Sequence, residues 1–135
     1  MNNFIWSIRV YYEDTDAAGV VYYANYLKFM ERSRTEWLRQ LGVDQIQLKQ
    51  HYNLVFVVRQ MTIDYLRPAL LDDLLKIVTY MTHLGKASIT MNQKILRQTE
   101  VLCIATIKIA CVNIVNLRPQ PIPPEILKEF LKITN

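Results

Sequence analysis

The sequence predicts an α+β fold in which one long amphipathic helix precedes four long strands. Apolar residues recur at spacings of three, four and seven between about Tyr23 and Leu41, which is typical of a helix packed on one face. Alternating or continuous apolar runs rich in β-branched residues come after it. Because strands grouped after a helix favour α+β over alternating α/β, and because the links between them are short, we expect antiparallel pairing.

The individual elements follow from turn and cap signals. Asn25 is a candidate cap at the start of the long helix, and Gly42 is a candidate C-cap at its end. The predicted strands are 4–13, 54–67, 74–84, 86–97 and 100–116, with short helices at 44–51 and 125–133 and a loop at 14–22. Several strands are apolar on both faces. One helix covers only one face of a sheet, so this surplus predicts a partner subunit.

Length and composition indicate a single globular domain spanning residues 1–135. The chain is 51% hydrophobic and 21% charged, which is ordinary for a protein with a packed core. Neither a basic leader with an apolar run nor an apolar stretch of about 20 residues is present. We therefore expect a cytoplasmic protein without a transmembrane segment.

The charge indicates which partners to expect, and the cysteine spacing indicates whether a disulfide can form. The net charge is +4, which is compatible with an anionic ligand, but the basic residues are scattered and no nucleic-acid motif is present, so no nucleic-acid partner is expected. Cys103 and Cys111 lie eight residues apart in one predicted strand. That spacing is about 26 Å at about 3.3 Å per residue, too far for a disulfide, so we expect buried free thiols.

The loop before the long helix is the main candidate for chemistry. It holds Glu13, Asp14 and Asp16 within four residues, and Gly19 allows a sharp turn. The first N–H groups of the helix have no partners within the helix and favour negative charge. A carboxylate beside such N–H groups supplies a base or nucleophile and an oxyanion site. The same residue types also form ordinary turns and caps, and the pattern alone favours that second interpretation.

Other catalytic schemes find little support. The sequence has no Gly-x-Ser-x-Gly elbow and no Gly-rich phosphate loop. His51 and His83 are isolated, and no cluster has metal-ligand spacing. We therefore expect neither a metal nor a cofactor.

One segment changes the choice between a catalytic loop and an ordinary turn. It reads Arg9-Val-Tyr-Tyr-Glu-Asp-Thr-Asp-Ala-Ala-Gly-Val-Val-Tyr-Tyr-Ala-Asn-Tyr26. It resembles the signature of the 4-hydroxybenzoyl-CoA thioesterase family of hotdog proteins, nearest its Tol-Pal-associated acyl-CoA thioesterase (YbgC-type) branch. The resemblance continues through four further blocks: 29–38, 56–65, 67–69 and 71–74. It becomes weaker after Gln98. This long first block makes catalysis the stronger interpretation of the loop.

The resemblance implies a hotdog fold, in which a curved, mainly antiparallel sheet of about five strands wraps one long central helix. It implies hydrolysis of an acyl-CoA thioester to a free acid and CoA, with Asp16 as nucleophile or as general base for water. The main-chain N–H of Tyr23 matches the group that polarises the thioester carbonyl. The family also implies a homodimer or homotetramer with sites at the subunit interface.

Substrate-binding residues are implied less directly. Gly19, Val21 and Tyr22 fall in the signature, and Lys86 and Ser88 fall near a region that contacts the CoA nucleotide in the family.

The preferred acyl group is not implied, because the pocket is built from two subunits. Phe56, Val58, Met61 and Tyr65 are candidates for its lining or for plain sheet core.

Two rival functions remain beside thioester hydrolysis. A hotdog hydratase or dehydratase needs a histidine paired with an acidic residue, and neither histidine lies in the loop before the helix. A binding module is the other rival, in which an acyl carrier protein or the Tol-Pal envelope system is the partner and thioesterase activity is vestigial.

Overall fold

The computed structural model describes residues 3–134 and contains five strands and three α-helices within that range. In chain order the elements are β1 (Phe4–Arg9), α1 (Asn25–Gln40), α2 (Gln45–Tyr52), β2 (Leu54–Tyr65), β3 (Leu74–Leu84), β4 (Ser88–Arg97), β5 (Glu100–Asn113) and α3 (Pro124–Leu131). The predicted order of elements is confirmed.

The five strands form one open antiparallel sheet in the order β1-β3-β4-β5-β2. Helix α1 packs on one face of this sheet, against β3 and β1. Alternate residues of β4 point toward the helix and are buried, as the strand period of two requires. The predicted α+β class is confirmed, and the arrangement is that of a hotdog protein.

Helix α1 ends as its glycine predicts. The N–H of Gly42 donates to the carbonyl of Arg39 (3.1 Å), and the N–H of Val43 donates to that of Leu38 (2.9 Å). Gly42 has φ +83°, a conformation that residues with a Cβ adopt at a cost, so the helix closes in a Schellman motif.

The helix begins differently from the prediction. It starts at Asn25 instead of about Tyr23, and its N-cap residue, Ala24, has no side chain that could cap it. Asn25 does not cap the helix either, because its side-chain amide donates to the carbonyl of Asp14 (2.8 Å). The asparagine thus fastens the preceding loop to the helix.

The first strand is also shorter than predicted. It ends at Arg9, and a 3₁₀ turn occupies Tyr12–Asp14. The carboxylate of Asp14 accepts the N–H of Tyr11 (2.8 Å), which turns the chain out of the sheet. The remaining predicted boundaries differ by three residues or fewer.

The core lies between α1 and the sheet. Trp37 and Met30 of the helix and Ile77 and Ile107 of the sheet are almost fully buried. Helix α3 closes one end, where the ring of Phe130 lies 5.9 Å from that of Trp37. The two cysteines on β5 are buried free thiols, as predicted. Within residues 3–134, no helix is both long and apolar enough to cross a membrane.

Candidate functional site

The loop before α1 folds into a tight hairpin. The N–H of Asp16 donates to the carbonyl of Val20 (2.9 Å), and the N–H of Gly19 donates to the carbonyl of Asp16 (3.0 Å). Thr15 and Val21 form an antiparallel bridge at its base. Gly19 has φ +81°, a conformation that favours a residue without a Cβ. Asp16 is the residue at which the turn begins.

The Asp16 side chain is exposed, and only one of its oxygens is used locally. Oδ1 accepts the N–H of Ala18 (2.9 Å), whereas Oδ2 accepts no hydrogen bond from residues 3–134. The first bond is the one that a turn-forming aspartate makes, so the turn interpretation describes part of its role. The same bond orients the carboxylate and leaves an oxygen available for a substrate or a water molecule.

Asp14 has a different task from Asp16. Its carboxylate holds Tyr11, and its carbonyl accepts the N–H of Tyr22 (3.0 Å) as well as the amide of Asn25. All of these bonds organise the loop. Asp14 therefore serves the structure of the loop, and Asp16 is the carboxylate with free capacity.

The main-chain N–H of Tyr23 is the second candidate group. Tyr22 donates its N–H to Asp14 and Asn25 donates its N–H to the carbonyl of Tyr22 (2.8 Å), whereas the N–H groups of Tyr23 and Ala24 between them are unused within residues 3–134. The Tyr23 N–H has no acceptor among residues 3–134. It lies two residues before the first turn of α1, where the helix dipole favours negative charge. This N–H can receive a carbonyl oxygen that gains negative charge.

An aromatic cleft of about 250 Å³ lies beside Tyr23. Three tyrosines line it together with four other residues: Tyr23, Tyr26, Tyr65, Val21, Leu66, Arg67 and Pro68. The Tyr23 and Tyr65 rings meet edge to face with centroids 6.0 Å apart. Larger clefts, up to about 590 Å³, surround α2, and none of the predicted site residues lines them.

Tyr26 is a residue of this cleft that the sequence pattern assigned only to the helix core. Its ring is buried, and its hydroxyl accepts the N–H of Ala69 (2.9 Å). Burial raises the pKa of this phenol, so it stays protonated at neutral pH. The hint in the sequence was the block 67–69, which matched the family without any role attached to it.

The predicted substrate-binding residues fall into two groups. Gly19, Val21 and Tyr22 lie in the hairpin or directly after it, and Val21 is buried and donates its N–H to the carbonyl of Ala69 (2.9 Å). Tyr22 is exposed, with its ring centroid 4.9 Å from that of Tyr23.

Lys86 and Ser88 lie at the other end of the sheet, at the turn from β3 to β4. The length of β4 separates that turn from Arg97, about 30 Å at about 3.3 Å per residue. Within one chain the structure does not bring these two residues to Asp16.

Four residues of β2 were candidates either for the lining of the pocket or for the core of the sheet. Tyr65 lines the cleft. Phe56 packs against Phe130, with ring centroids 6.3 Å apart. Val58 points to the helix side of the sheet, opposite Ile109, yet is half exposed, because nothing within residues 3–134 covers it.

Neither cysteine is a candidate nucleophile. Burial raises the pKa of Cys103 to about 12 and that of Cys111 to about 11, so the reactive thiolate is scarce at neutral pH. In the described part of the chain, no three His, Cys, Asp or Glu side chains are grouped as metal ligands.

Comparison with known proteins assigns the chain to a family. The model of the thioesterase-like superfamily matches residues 10–130. The chain belongs to this superfamily. It is 46% identical over 129 residues to an acyl-CoA thioesterase, YbgC, of Haemophilus influenzae, covering 96% of this chain and 95% of that protein. It is 43% identical over 128 residues to the acyl-CoA thioester hydrolase YbgC of Escherichia coli, covering 94% and 95%.

A solved structure supports the same assignment for the fold. The crystal structure of a probable thioesterase from Bartonella henselae superposes with a TM-score of 0.86 at 40% identity, covering 90% of this chain and all of that one. The thioesterase-like superfamily thus accounts for both the sequence and the architecture.

Proposed function

We propose that this protein hydrolyses acyl-CoA thioesters, with Asp16 as the catalytic carboxylate and the Tyr23 N–H as the oxyanion donor. The enzyme class, a thioester hydrolase, follows from the family and from full-length relatives. The observation that carries the assignment of residues is the unused N–H of Tyr23, seven residues after a carboxylate with one unused oxygen. Both belong to one hairpin-to-helix unit.

In the general-base form, Asp16 takes a proton from a water molecule as the water oxygen attacks the thioester carbonyl carbon. The carbonyl oxygen becomes an oxyanion and accepts the Tyr23 N–H. Collapse of this tetrahedral intermediate breaks the carbon–sulfur bond, and the CoA thiolate receives the proton. In the nucleophilic form, the Asp16 carboxylate attacks the carbonyl carbon and expels the CoA thiolate, which leaves a mixed anhydride. Water then cleaves the anhydride to the free acid and the regenerated Asp16 carboxylate, and the proton released from the water goes to the thiolate. Both forms yield one carboxylic acid and one CoA thiol.

A second copy of the chain completes this proposal. Strand β2 is an edge strand of 12 residues, and its outer edge has no partner within residues 3–134. Long unpaired edges invite pairing with another strand. If β2 pairs antiparallel with its own copy about a two-fold axis, the start of the partner strand lies beside Tyr65. The Lys86–Ser88 turn of that copy then approaches the Asp16 end of this chain, where it can contact the CoA nucleotide.

The proposed pairing of two β2 strands is tested by the mass of the protein in solution. Sedimentation at micromolar concentration should show a dimer or a tetramer. Val58→Pro in the middle of β2 should shift the protein toward the monomer, since proline removes an N–H and fits poorly in a paired strand. A wild-type monomer at that concentration would contradict the two-copy site.

The catalytic assignment is tested by Asp16→Asn, which keeps the size of the side chain and removes its charge. Loss of a general base lowers the rate by about 10²–10⁴-fold, so we expect kcat to fall by that range in a thiol-release assay with short, long and aromatic acyl-CoAs. Glu13→Gln is the matched control, because Glu13 is exposed in the same loop. It should retain wild-type turnover.

Retained turnover in a folded Asp16→Asn variant would reject the role of Asp16. The rival function, an acyl-carrier-binding module, predicts a different pattern: capture of an acyl carrier protein together with negligible wild-type turnover on every acyl-CoA. Running the binding and thiol-release assays on one preparation separates the two.

A further inference from the structure

In the segment that joins β2 to β3, residues 66–73, Ala69 bonds both to the hairpin and to the start of α1, and the adjacent Leu70 forms an antiparallel bridge with Val20. Ala69 is fully buried. Its N–H donates to the hydroxyl of Tyr26 (2.9 Å), and its carbonyl accepts the N–H of Val21 (2.9 Å). Tyr23 lies between these two partners in the sequence. The position of Ala69 therefore sets where the Tyr23 N–H sits relative to the sheet.

The two neighbours of Ala69 are tied to one guanidinium group, that of Arg97 at the end of β4. Its Nη1 donates to the carbonyl of Pro68 (3.3 Å) and to Oδ2 of Asp73 (2.7 Å). The same Oδ2 accepts the N–H of Leu70 (2.8 Å). Arg97 thus holds residue 68 directly and residue 70 through Asp73.

This contact is more constrained than an exposed ion pair. The side chains of Arg97 and Asp73 are 27% and 19% exposed. Nη2 of Arg97 donates to Glu100 Oε1 (2.6 Å), and Glu100 in turn pairs with Arg67 (3.2 Å). A guanidinium that donates in two fixed directions at once holds its partners at a defined distance and angle.

We propose that Arg97 is a positioning residue for thioester hydrolysis. It holds Pro68 and Asp73, which fix Ala69, and Ala69 in turn sets the position of the Tyr23 N–H relative to the sheet and to Asp16. The proposal rests on the proposed function above. Among residues 3–134 the polar partners of Arg97 are Pro68, Asp73 and Glu100, and neither Asp16 nor Tyr23 bonds to it, so it acts through the 66–73 segment.

The test is Arg97→Gln in the full-length protein, assayed by thiol release. Since a misplacement of about 1 Å costs up to about 10²-fold in rate, we expect kcat to fall on the order of 10-fold. KM should change little, because the proposed contact with the CoA nucleotide is made by the Lys86–Ser88 turn of the second copy, away from Ala69. Arg97→Lys should retain part of the activity, since one ammonium group can hold Asp73 but cannot also bond Pro68 and Glu100 in the same geometry. Arg39→Gln, which removes the exposed Arg39–Glu36 ion pair of α1, should leave kcat unchanged.

Amide hydrogen exchange gives a readout that does not depend on activity. In Arg97→Gln the Val21 N–H should exchange faster than in the wild type. The Cys111 N–H, which donates to the Ala87 carbonyl (2.8 Å) at the opposite end of the sheet, should keep its protection.

Wild-type kcat in folded Arg97→Gln, or equal loss of protection at Val21 and Cys111, would overturn the positioning role. If Arg97→Gln does not fold, Arg97→Lys carries both measurements with the same criteria. A wild-type protein without turnover would reject the proposed function, and the exchange at Val21 would still decide whether Arg97 anchors the hairpin.

Discussion

Two polar regions of this molecule differ in which groups hold them in place. One is fixed by bonds between side chains and stabilises the fold, and the other is fixed by main-chain bonds and keeps its side chains available for chemistry. Beneath α1, four buried side chains bond to one another: Ser33, Arg34, Thr79 and Gln93. In the Asp16 hairpin, by contrast, main-chain groups form most of the bonds, and the side chains of Asp16 and Tyr23 stay exposed. Side chains that are buried and bonded to one another are not accessible to a substrate, whereas a loop fixed through its backbone leaves its side chains free.

Gln93 is the centre of the buried network. Its amide nitrogen donates to the carbonyl of Met30 (3.1 Å) and to Thr79 Oγ1 (2.9 Å), and its oxygen accepts from Arg34 (3.0 Å). Burial lowers the pKa of Arg34, and within residues 3–134 no carboxylate forms a salt bridge with it. Since Gln93 is the one protein acceptor found for this guanidinium in the described chain, the network depends on a neutral side chain.

Breaking the buried network should have the largest effect on folding. Gln93→Leu leaves a buried guanidinium and a buried carbonyl without their partner. Removing one partner of a buried charged group costs about 3–5 kcal/mol, so we expect the free energy of unfolding to fall by roughly that amount. Urea denaturation measures it, with Gln40→Leu, the same change at an exposed position of α1, as the control.

The comparison also predicts what Gln93→Leu leaves intact. At a temperature where the variant is folded, its kcat should stay near the wild-type value, because the hairpin bonds to residues 69 and 14 and not to Gln93. A large loss of kcat in the folded variant would show that the two regions are coupled.

A smaller effect is expected from straining the hairpin itself. Gly19→Ala places a Cβ on a residue with φ +81°, where no heavy atom lies within 4 Å of it, so the cost is backbone strain alone. That strain is about 1–2 kcal/mol of unfolding free energy. Relief of the strain moves Asp16, so kcat should fall as well.

Gly42→Ala is a closely matched control for this change. Gly42 has φ +83° and equally open surroundings, but it lies at the end of α1 away from the hairpin. Both variants should lose similar stability, and only Gly19→Ala should lose kcat. Equal kcat in the two would mean that the shape of the hairpin does not matter for turnover.

Much of the fold was predictable because the hydrophobic periods are strong. Strand β3 has the predicted limits, and Gly42 ends α1 as its lack of a Cβ requires. The predicted C-terminal end of β1 and the predicted start of α1 were wrong because side chains of the loop decided them. Asp14 binds the Tyr11 N–H, and Asn25 binds the Asp14 carbonyl, and neither contact follows from a period in the sequence.

The candidate site shows the same division. Asp16 and Tyr23 were found from the sequence because the signature places them in a recognisable order along the chain, and their catalytic roles stay predictions. Tyr26 looked like any core residue of an amphipathic helix, and Arg97 looked like the end of a strand. Their contacts with Ala69 and with Pro68 span 43 and 29 residues of sequence, and short-range patterns carry no information about such contacts.

The sequence by itself determined the class of fold, the order of its elements and the loop that carries the carboxylates, because periodicity, turn residues and a long motif are local properties. The tertiary structure alone decided that Ala69 is the common support of the hairpin and α1, and that Lys86 and Ser88 lie at the far end of the sheet from Asp16. Those relations depend on which strands become neighbours, and that choice is made by packing over the whole chain.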